Sequence, residues 1–361
     1  MLHNETLLNN LLSKPSVTPH DKGCIDTIES FFSQKATYLH KGNTHNALLS
    51  FGEGKQSLIF VGHTDVVPPG PLTKWQKDPF IYEQSDPIIA RGVVDMKGAI
   101  WAFCSALLPQ IPDLTHKVHI LLTSDEEGDG KDGIAYVVPK LLEQGFHTNY
   151  ALVGEPTSIN TVGDCFKHER RGSYTLEVVL EGKQGHTAYP KNAWAPSQMI
   201  HDFFEKFLAY KATLPKDHDA SLYNITSSTH TSNIIPNSIH IGVNIRYFDI
   251  AVVKEFHELF SPIAIKVIHS PGAEPYQSNP KVLKQTLIQS IDHIAAINAA
   301  PSRLGGTSDA RFLSPIADEI IEFGLRSEFA HHINEQASIK ELSTLREIYY
   351  HLIKTLLCKK N

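Results

Sequence analysis

Thiol chemistry has little to work with in this chain. Its four cysteines, Cys24, Cys104, Cys165 and Cys358, lie far apart and form no Cys-x-x-Cys pair. That spacing excludes a disulfide scaffold and a thiolate zinc cluster and fits reduced thiols. Long apolar runs are missing too, none approaching the roughly 20 residues that cross a bilayer. At the start, Met1-Leu2-His3-Asn4-Glu5-Thr6 offers no basic stretch leading into an apolar one. No secretory signal is read there, and a cytoplasmic location is the expectation. Positive charge is in deficit, with 33 Lys and Arg against 39 Asp and Glu and a formal net charge of −6. Without basic runs or an interleaved aromatic platform, neither nucleic acid nor an anionic membrane is an expected partner. An anionic small molecule must therefore meet individually placed arginines. Internal repeats and low-complexity stretches are absent as well.

What is present is the composition of a soluble globular protein, 41% hydrophobic and 20% charged over 361 residues. At that length single cores stop growing, and two domains are expected. Residues 5–12 and 25–33 have helical spacing on either side of the breaker Pro15-Ser16-Val17-Thr18-Pro19. Short β-rich apolar runs follow at 57–61, 117–122, 150–153 and 319–323, with helical stretches between several of them, clearest at 99–108 and 134–144. The alternation predicts an α/β catalytic domain with a mostly parallel sheet. Between about 172 and 279 the order changes to strand 174–180, helix 196–210, strands 223–229 and 238–248, helix 252–260 and strand 263–268. This β-α-β-β-α-β order predicts an inserted ferredoxin-like domain for lid and dimer contacts, with a turn at Asn233-Ile234-Ile235-Pro236-Asn237-Ser238. Residues 1–171 and 280–361 are left to the catalytic domain, which the chain re-enters through a helix near 282–296.

Five acid or histidine clusters occur along the chain, each just after a short apolar run: Gly62-His63-Thr64-Asp65, Asp95-Met96-Lys97-Gly98, Asp125-Glu126-Glu127-Gly128, Gly154-Glu155-Pro156-Thr157 and His331-His332-Ile333-Asn334-Glu335. One such cluster is ordinarily a solvated loop, but five of them place oxygen and imidazole ligands at the carboxyl ends of sheet strands, where open α/β sheets bind ligands. The set reads as a metal site. The two-residue spacing of His63 and Asp65 puts both on one side of an extended backbone. Asp65 is then expected to accept the second imidazole N–H and fix the tautomer that faces a metal. Asp95, with Arg91-Gly92 before it and Lys97-Gly98 after it, reads as a bridging carboxylate rather than a helix cap. Adjacent Glu126 and Glu127 point in different directions, so one can bind metal while the other faces substrate and water. Three carboxylates and two neutral imidazoles around two divalent ions leave a single positive charge, which one bridging hydroxide cancels. Imidazole with carboxylate favours zinc, with Mn²⁺ and Co²⁺ as substitutes.

These clusters, together with Arg170-Arg171-Gly172-Ser173, Gln184-Gly185-His186-Thr187-Ala188-Tyr189-Pro190, Asn233-Ile234-Ile235-Pro236 and Gly305-Gly306-Thr307-Ser308-Asp309-Ala310-Arg311-Phe312, resemble the M20 di-zinc metallopeptidase/deacylase family in consistent order from about residue 5 to 355. The motifs that begin at Arg170, Gln184 and Gly305 narrow the likeness to the branch that releases succinate from N-succinyl-LL-2,6-diaminopimelate on the bacterial route to lysine and peptidoglycan. The resemblance implies that His63 and Glu155 hold one zinc, that Glu127 and His331 hold the other, and that Asp95 bridges them. Glu126 is then the general base and Asp65 the partner of His63. His186 is implied to reach an active site across a homodimer interface and stabilise the oxyanion. Arg170, Tyr189, Asn233, Arg246, Gly306 and Thr307 match substrate contacts, with Arg171 left as an alternative to Arg170, and His332 is read as a bystander. An acetylornithine deacetylase or related N-acyl amino-acid hydrolase shares the same metal shell, and a metal-binding pseudoenzyme is opposed by the intact Glu126. One departure stands out: Phe323-Gly324-Leu325-Arg326-Ser327-Glu328 replaces a Gly-Pro followed by an Asn four residues before the ligand histidine. The substrate contact expected near Ser327 is thereby put in question.

Overall fold

The computed structural model describes residues 2–262 and 266–359. The chain folds as two compact units, one formed by Met1–His168, Ser278–Ser302 and Ser308–Asn361, the other by Glu169–Gln277 with Arg303–Thr307.

The first unit is built on a six-stranded sheet in the order Thr37–Tyr38, Asn46–Phe51, Lys117–Thr123, Ser57–His63, Thr148–Val153 and Ala317–Glu322. The last four are mutually parallel; at the other side Asn46–Phe51 pairs antiparallel with Lys117–Thr123, and Thr37–Tyr38 pairs antiparallel with Asn46–Phe51. Ser57–His63 is buried at every position because it lies between two parallel neighbours. Burial on both faces is why its sequence is a continuous apolar run with no alternation. Register then decides where the polar residues emerge. His63 pairs with Thr123 and Val61 with Val153, so the segments that follow these strands leave the sheet side by side. The antiparallel strand Asn46–Phe51 and the long C-terminal helix Ile339–Leu357 are additions that the sequence pattern had not singled out.

Helix Lys97–Leu107 is buried along its whole length. Its Phe103 stacks on Phe60 of the central strand at 4.2 Å between ring centroids, and Tyr349 of the C-terminal helix closes edge-on at 5.8 Å from Phe103. That C-terminal helix opens with a capping box: Ser338 Oγ accepts from the Glu341 N–H at 3.1 Å, and Glu341 accepts from the Ser338 N–H at 2.7 Å. Helices Glu5–Leu12, Cys24–Phe32, Ile134–Glu143 and Val282–Ala295 lie where the spacing predicts them. Among the described residues no helix is long and apolar enough to cross a membrane.

The second unit is a four-stranded antiparallel sheet in the order Asp219–Ser227, Ser238–Tyr247, Gly172–Glu181 and Lys266–Ala273, with helices Ile200–Thr213 and Ala251–Phe260. Its core joins Leu176, Val178, Ile241, Val243 and Ile245 from the sheet to Phe203, Phe207, Phe256 and Phe260 from the helices. This is the ferredoxin-like order expected. Of the strand predicted at 263–268, residues 263–265 lie outside the described residues. The predicted helix start at Pro196 is a tighter 3₁₀ turn, Pro196–Met199, before the α-helix begins at Ile200. The segment read as a turn contains a short strand, Ile234–Ile235, paired with Gly185–His186. Two adjacent β-branched residues favour that extended pairing.

Gly98 in the buried helix is fixed by space, since a Cβ there would collide with the carbonyl oxygen of Val93. Alanine is ordinarily better than glycine inside a helix by about 1 kcal/mol. Here Gly98→Ala is expected to destabilise the fold instead, by roughly 1–3 kcal/mol in urea unfolding, as overpacking does.

Candidate active site

Five predicted ligands come together in the first unit. His63 ends a central strand, Asp95 precedes the buried helix, Glu127 and Glu155 follow the strands on either side, and His331 follows a 3₁₀ turn beyond the last strand. His63 Nε2 lies 3.0 Å from Asp95 Oδ1 and 3.9 Å from Glu155 Oε1. His331 Nε2 lies 3.3 Å from Asp95 Oδ2 and 2.8 Å from Glu127 Oε1. Asp95 thus faces one imidazole with each oxygen, the arrangement a bridging carboxylate needs. One donor atom each from His63, Asp95 and Glu127 fit within 4.8 Å of one another. Two imidazole nitrogens among carboxylates from separate loops form a donor set suited to divalent transition metals.

The electrostatics agree with a site that attracts cations. Burial alone lowers the pKa of His63, but Asp95 outweighs it and carries the ring well above its ordinary value. His331 is raised to about 10, chiefly by its hydrogen bonds to Asp95 and Glu127. Asp95, although desolvated, is held below the usual carboxylate range by the two imidazoles. Glu126 is driven the other way: burial raises it well above a normal glutamate, and the charge of Glu155 adds to the effect. A carboxylate so displaced is suited to holding a proton in mid-reaction.

Asp65 has a different part from the one its spacing suggests. The Nδ1 of His63 lies 2.9 Å from the backbone carbonyl of Asp65, whereas its carboxylate is 3.7 Å away. The carboxylate instead accepts the backbone N–H groups of Glu126 at 3.2 Å and Glu127 at 3.1 Å. One residue therefore sets the His63 tautomer through its main chain and anchors the Glu126-Glu127 corner through its side chain. His332 is exposed, and its ring lies against Phe329.

The remaining predicted residues lie in the second unit. His186 is exposed, and its Nδ1 accepts the Ala188 N–H at 3.0 Å, which assigns the hydrogen of a neutral ring to Nε2. Tyr189, 65% exposed, sets its ring edge-on to His186 at 5.8 Å. The Asn233 carbonyl accepts the Thr187 N–H at 3.1 Å, so His186, Tyr189 and Asn233 share one patch. Arg170 is buried and donates to the Gly306 carbonyl at 2.9 Å, while Arg303 pairs with Glu169 at 2.6 Å. Arg170, Arg171, Gly306 and Thr307 all lie in this unit, whereas the expected boundaries assign them to the catalytic domain; contacts between the 169–170 and 303–307 stretches account for the difference. Arg246 is lowered by burial and by the neighbouring charge of Arg171, and Arg171 Nε finds no acceptor among the described residues.

Two further carboxylates of the motifs, to which the sequence assigns no role, are buried here. Asp309 is raised to about 7 by burial, and Glu335, four residues after His331, has no exposed surface. At the departure around Ser327, Arg326 is engaged by Glu341 and by Glu328, and the Ser327 hydroxyl donates to the Ser158 carbonyl at 3.4 Å. That loop is occupied by its own contacts.

Residues 59–355 match peptidase family M20/M25/M40. The chain is 33% identical over 369 residues to a succinyl-diaminopimelate desuccinylase of Coxiella burnetii, a match covering 97% of this chain and 98% of that protein. It is 34% identical over 378 residues to a protein of the same name from Legionella pneumophila, again over 97% and 98%. Among solved structures, the M20 family metallo-carboxypeptidase Sso-CP2 from Sulfolobus solfataricus superposes with a TM-score of 0.80 over 98% of this chain and 99% of that one, at 15% identity, which is a likeness of fold. With a family match across most of its length and relatives of one-third identity along nearly all of it, this chain belongs to the M20/M25/M40 peptidase family.

Proposed function

We propose that the chain hydrolyses the amide of N-succinyl-LL-2,6-diaminopimelate to succinate and LL-2,6-diaminopimelate, using two zinc ions held by His63, Asp95, Glu127, Glu155 and His331. The substrate is that of the relatives' name, matched end to end. The observation that carries the chemistry is Asp95 set between two imidazoles, with the raised Glu126 close by. Bound there, divalent ions supply Lewis acidity that acidifies water and polarises the amide oxygen.

The protein's own groups do the rest. Glu126 takes the proton of the attacking water and passes it to the leaving amine, the task for which its raised pKa suits it. Asp65 holds Glu126 in place through the backbone N–H bond. His186, with its hydrogen on Nε2, donates to the oxyanion in a second copy of the chain, a contribution worth about 10²–10³ in rate. Arg246 and the Arg170-Arg171 pair read the substrate carboxylates, with Tyr189, Asn233, Gly306 and Thr307 as further contacts. The enzyme is a cytoplasmic homodimer formed through the inserted unit.

Glu126→Gln is expected to keep its metal and lose roughly 10² or more in kcat, because a base is removed and the ligands remain. Metal analysis of the purified variant checks this, and loss of zinc would make Glu126 a ligand instead. Arg246→Lys keeps the charge but loses the planar fork that binds carboxylate. Its kcat/KM on the succinylated substrate is expected to fall at least about tenfold, roughly 1.4 kcal/mol, with a smaller change on a small acetylated amino acid. Succinate release measured against acetate release from N-acetylornithine tests the substrate itself. Preference for the acetyl compound by the unaltered enzyme would move the reading to the deacetylase branch.

A further inference from the structure

We infer that Glu335 is a positioning residue that sets the geometry of the metal cluster, by tying the turn that carries Asp95 to the loop that carries His331. The inference rests on the reading of those two residues as metal ligands. Glu335 has no exposed surface, and its carboxylate is surrounded by donors. Oε1 accepts the backbone N–H groups of Val94 at 2.8 Å and Asp95 at 3.1 Å. Oε2 accepts the Gly92 N–H at 3.0 Å and Arg91 Nη1 at 2.7 Å. The Glu335 carbonyl also accepts the Ala90 N–H at 3.0 Å, so the loop meets this turn through both main chain and side chain.

The second half of the tie runs through Arg91. Its other terminal nitrogen, Nη2, donates to the His331 carbonyl at 3.4 Å, and its guanidinium lies over the Trp75 ring at 5.3 Å. His331 needs such a hold, because its φ of 64° lies in the left-handed region, which costs a non-glycine residue energy. Asn334 shares that conformation at φ 62°, and its side chain accepts the Gln76 N–H at 2.7 Å. One buried anion therefore fixes the main chain of Asp95 directly and that of His331 through Arg91.

Only a carboxylate meets four converging donors. In Glu335→Gln the amide NH₂ replaces an acceptor and faces two N–H donors, so the turn must move and Asp95 with it. Groups behind metal ligands typically contribute about 10–100-fold to affinity. The test is a titration of the metal-free chain with Co²⁺, followed by visible absorption, with thermal unfolding of the metal-free form and steady-state kinetics alongside. The expected result is a folded Glu335→Gln that binds at least one Co²⁺ about tenfold or more weakly, with altered absorption bands and a lower kcat at little-changed KM. A folded variant with unaltered Co²⁺ affinity and spectrum overturns the inference, even if its melting temperature falls, because that is the signature of a purely structural bond. If Glu335→Gln does not fold, Arg91→Lys decides: it keeps the charge but loses the second nitrogen that reaches His331. Weakened Co²⁺ binding supports the tie and unaltered binding refutes it. Failure of the unaltered chain to bind Co²⁺ would instead remove the metal-centre reading on which the inference rests.

Discussion

Mutual repulsion among carboxylates is the constraint around which the first unit is arranged. Glu126, Glu127 and Glu155 follow the ends of sheet strands and gather around Asp95, which stands before the buried helix, with Asp309 buried beside them. Two like charges about 4 Å apart repel by roughly 4 kcal/mol at the effective dielectric of a protein surface region. Protons relieve part of that repulsion, as the raised Glu126 and Asp309 show, and positive charge relieves more. His63 and His331 supply it when protonated, and both have pKa values shifted upward by their carboxylate neighbours.

Two buried carboxylates outside the cluster hold it together, and both act on main chain. Asp65 accepts the N–H groups of Glu126 and Glu127, and Glu335 accepts those of Gly92, Val94 and Asp95. Fixing the backbone leaves each acidic side chain its own rotamer while denying the loop freedom to relax away from its neighbours. Lys97 serves a related end, its buried ammonium donating to the carbonyls of Leu11 and Lys14 and tying the start of the Asp95 helix to the N-terminal segment.

The second unit solves a different problem. Its apolar strand face and the aromatic stripe of two helices make a core of its own. Burial and the nearby charge of Arg171 lower the pKa of Arg246, and His186 is turned by the Ala188 N–H so that its other ring nitrogen remains available.

Much of this was legible in the sequence because burial imposes patterns. A strand enclosed by two parallel neighbours must be apolar throughout, and a loop at its end must be short and polar, so the runs at 57–61, 117–122 and 150–153 announced both the sheet and the ligand-bearing corners. The β-α-β-β-α-β order of the inserted unit was readable for the same reason. Pairing partners were not. Spacing put the Asp65 side chain beside His63, yet the carbonyl is the nearer acceptor, because the carboxylate finds two N–H donors from a segment sixty residues away in the chain. Arg170 and Arg171 are chemically alike, and only the fold sends one to the Gly306 carbonyl and the other toward Arg246. The grouping of Arg303–Thr307 with the second unit and the converging donors on Glu335 likewise depend on contacts between distant stretches of chain. The order of amino acids alone puts acids and histidines just after the apolar runs. Which atom of each meets which partner depends on the folded contacts, because hydrogen-bond partners are set by distance in space and not by separation along the chain.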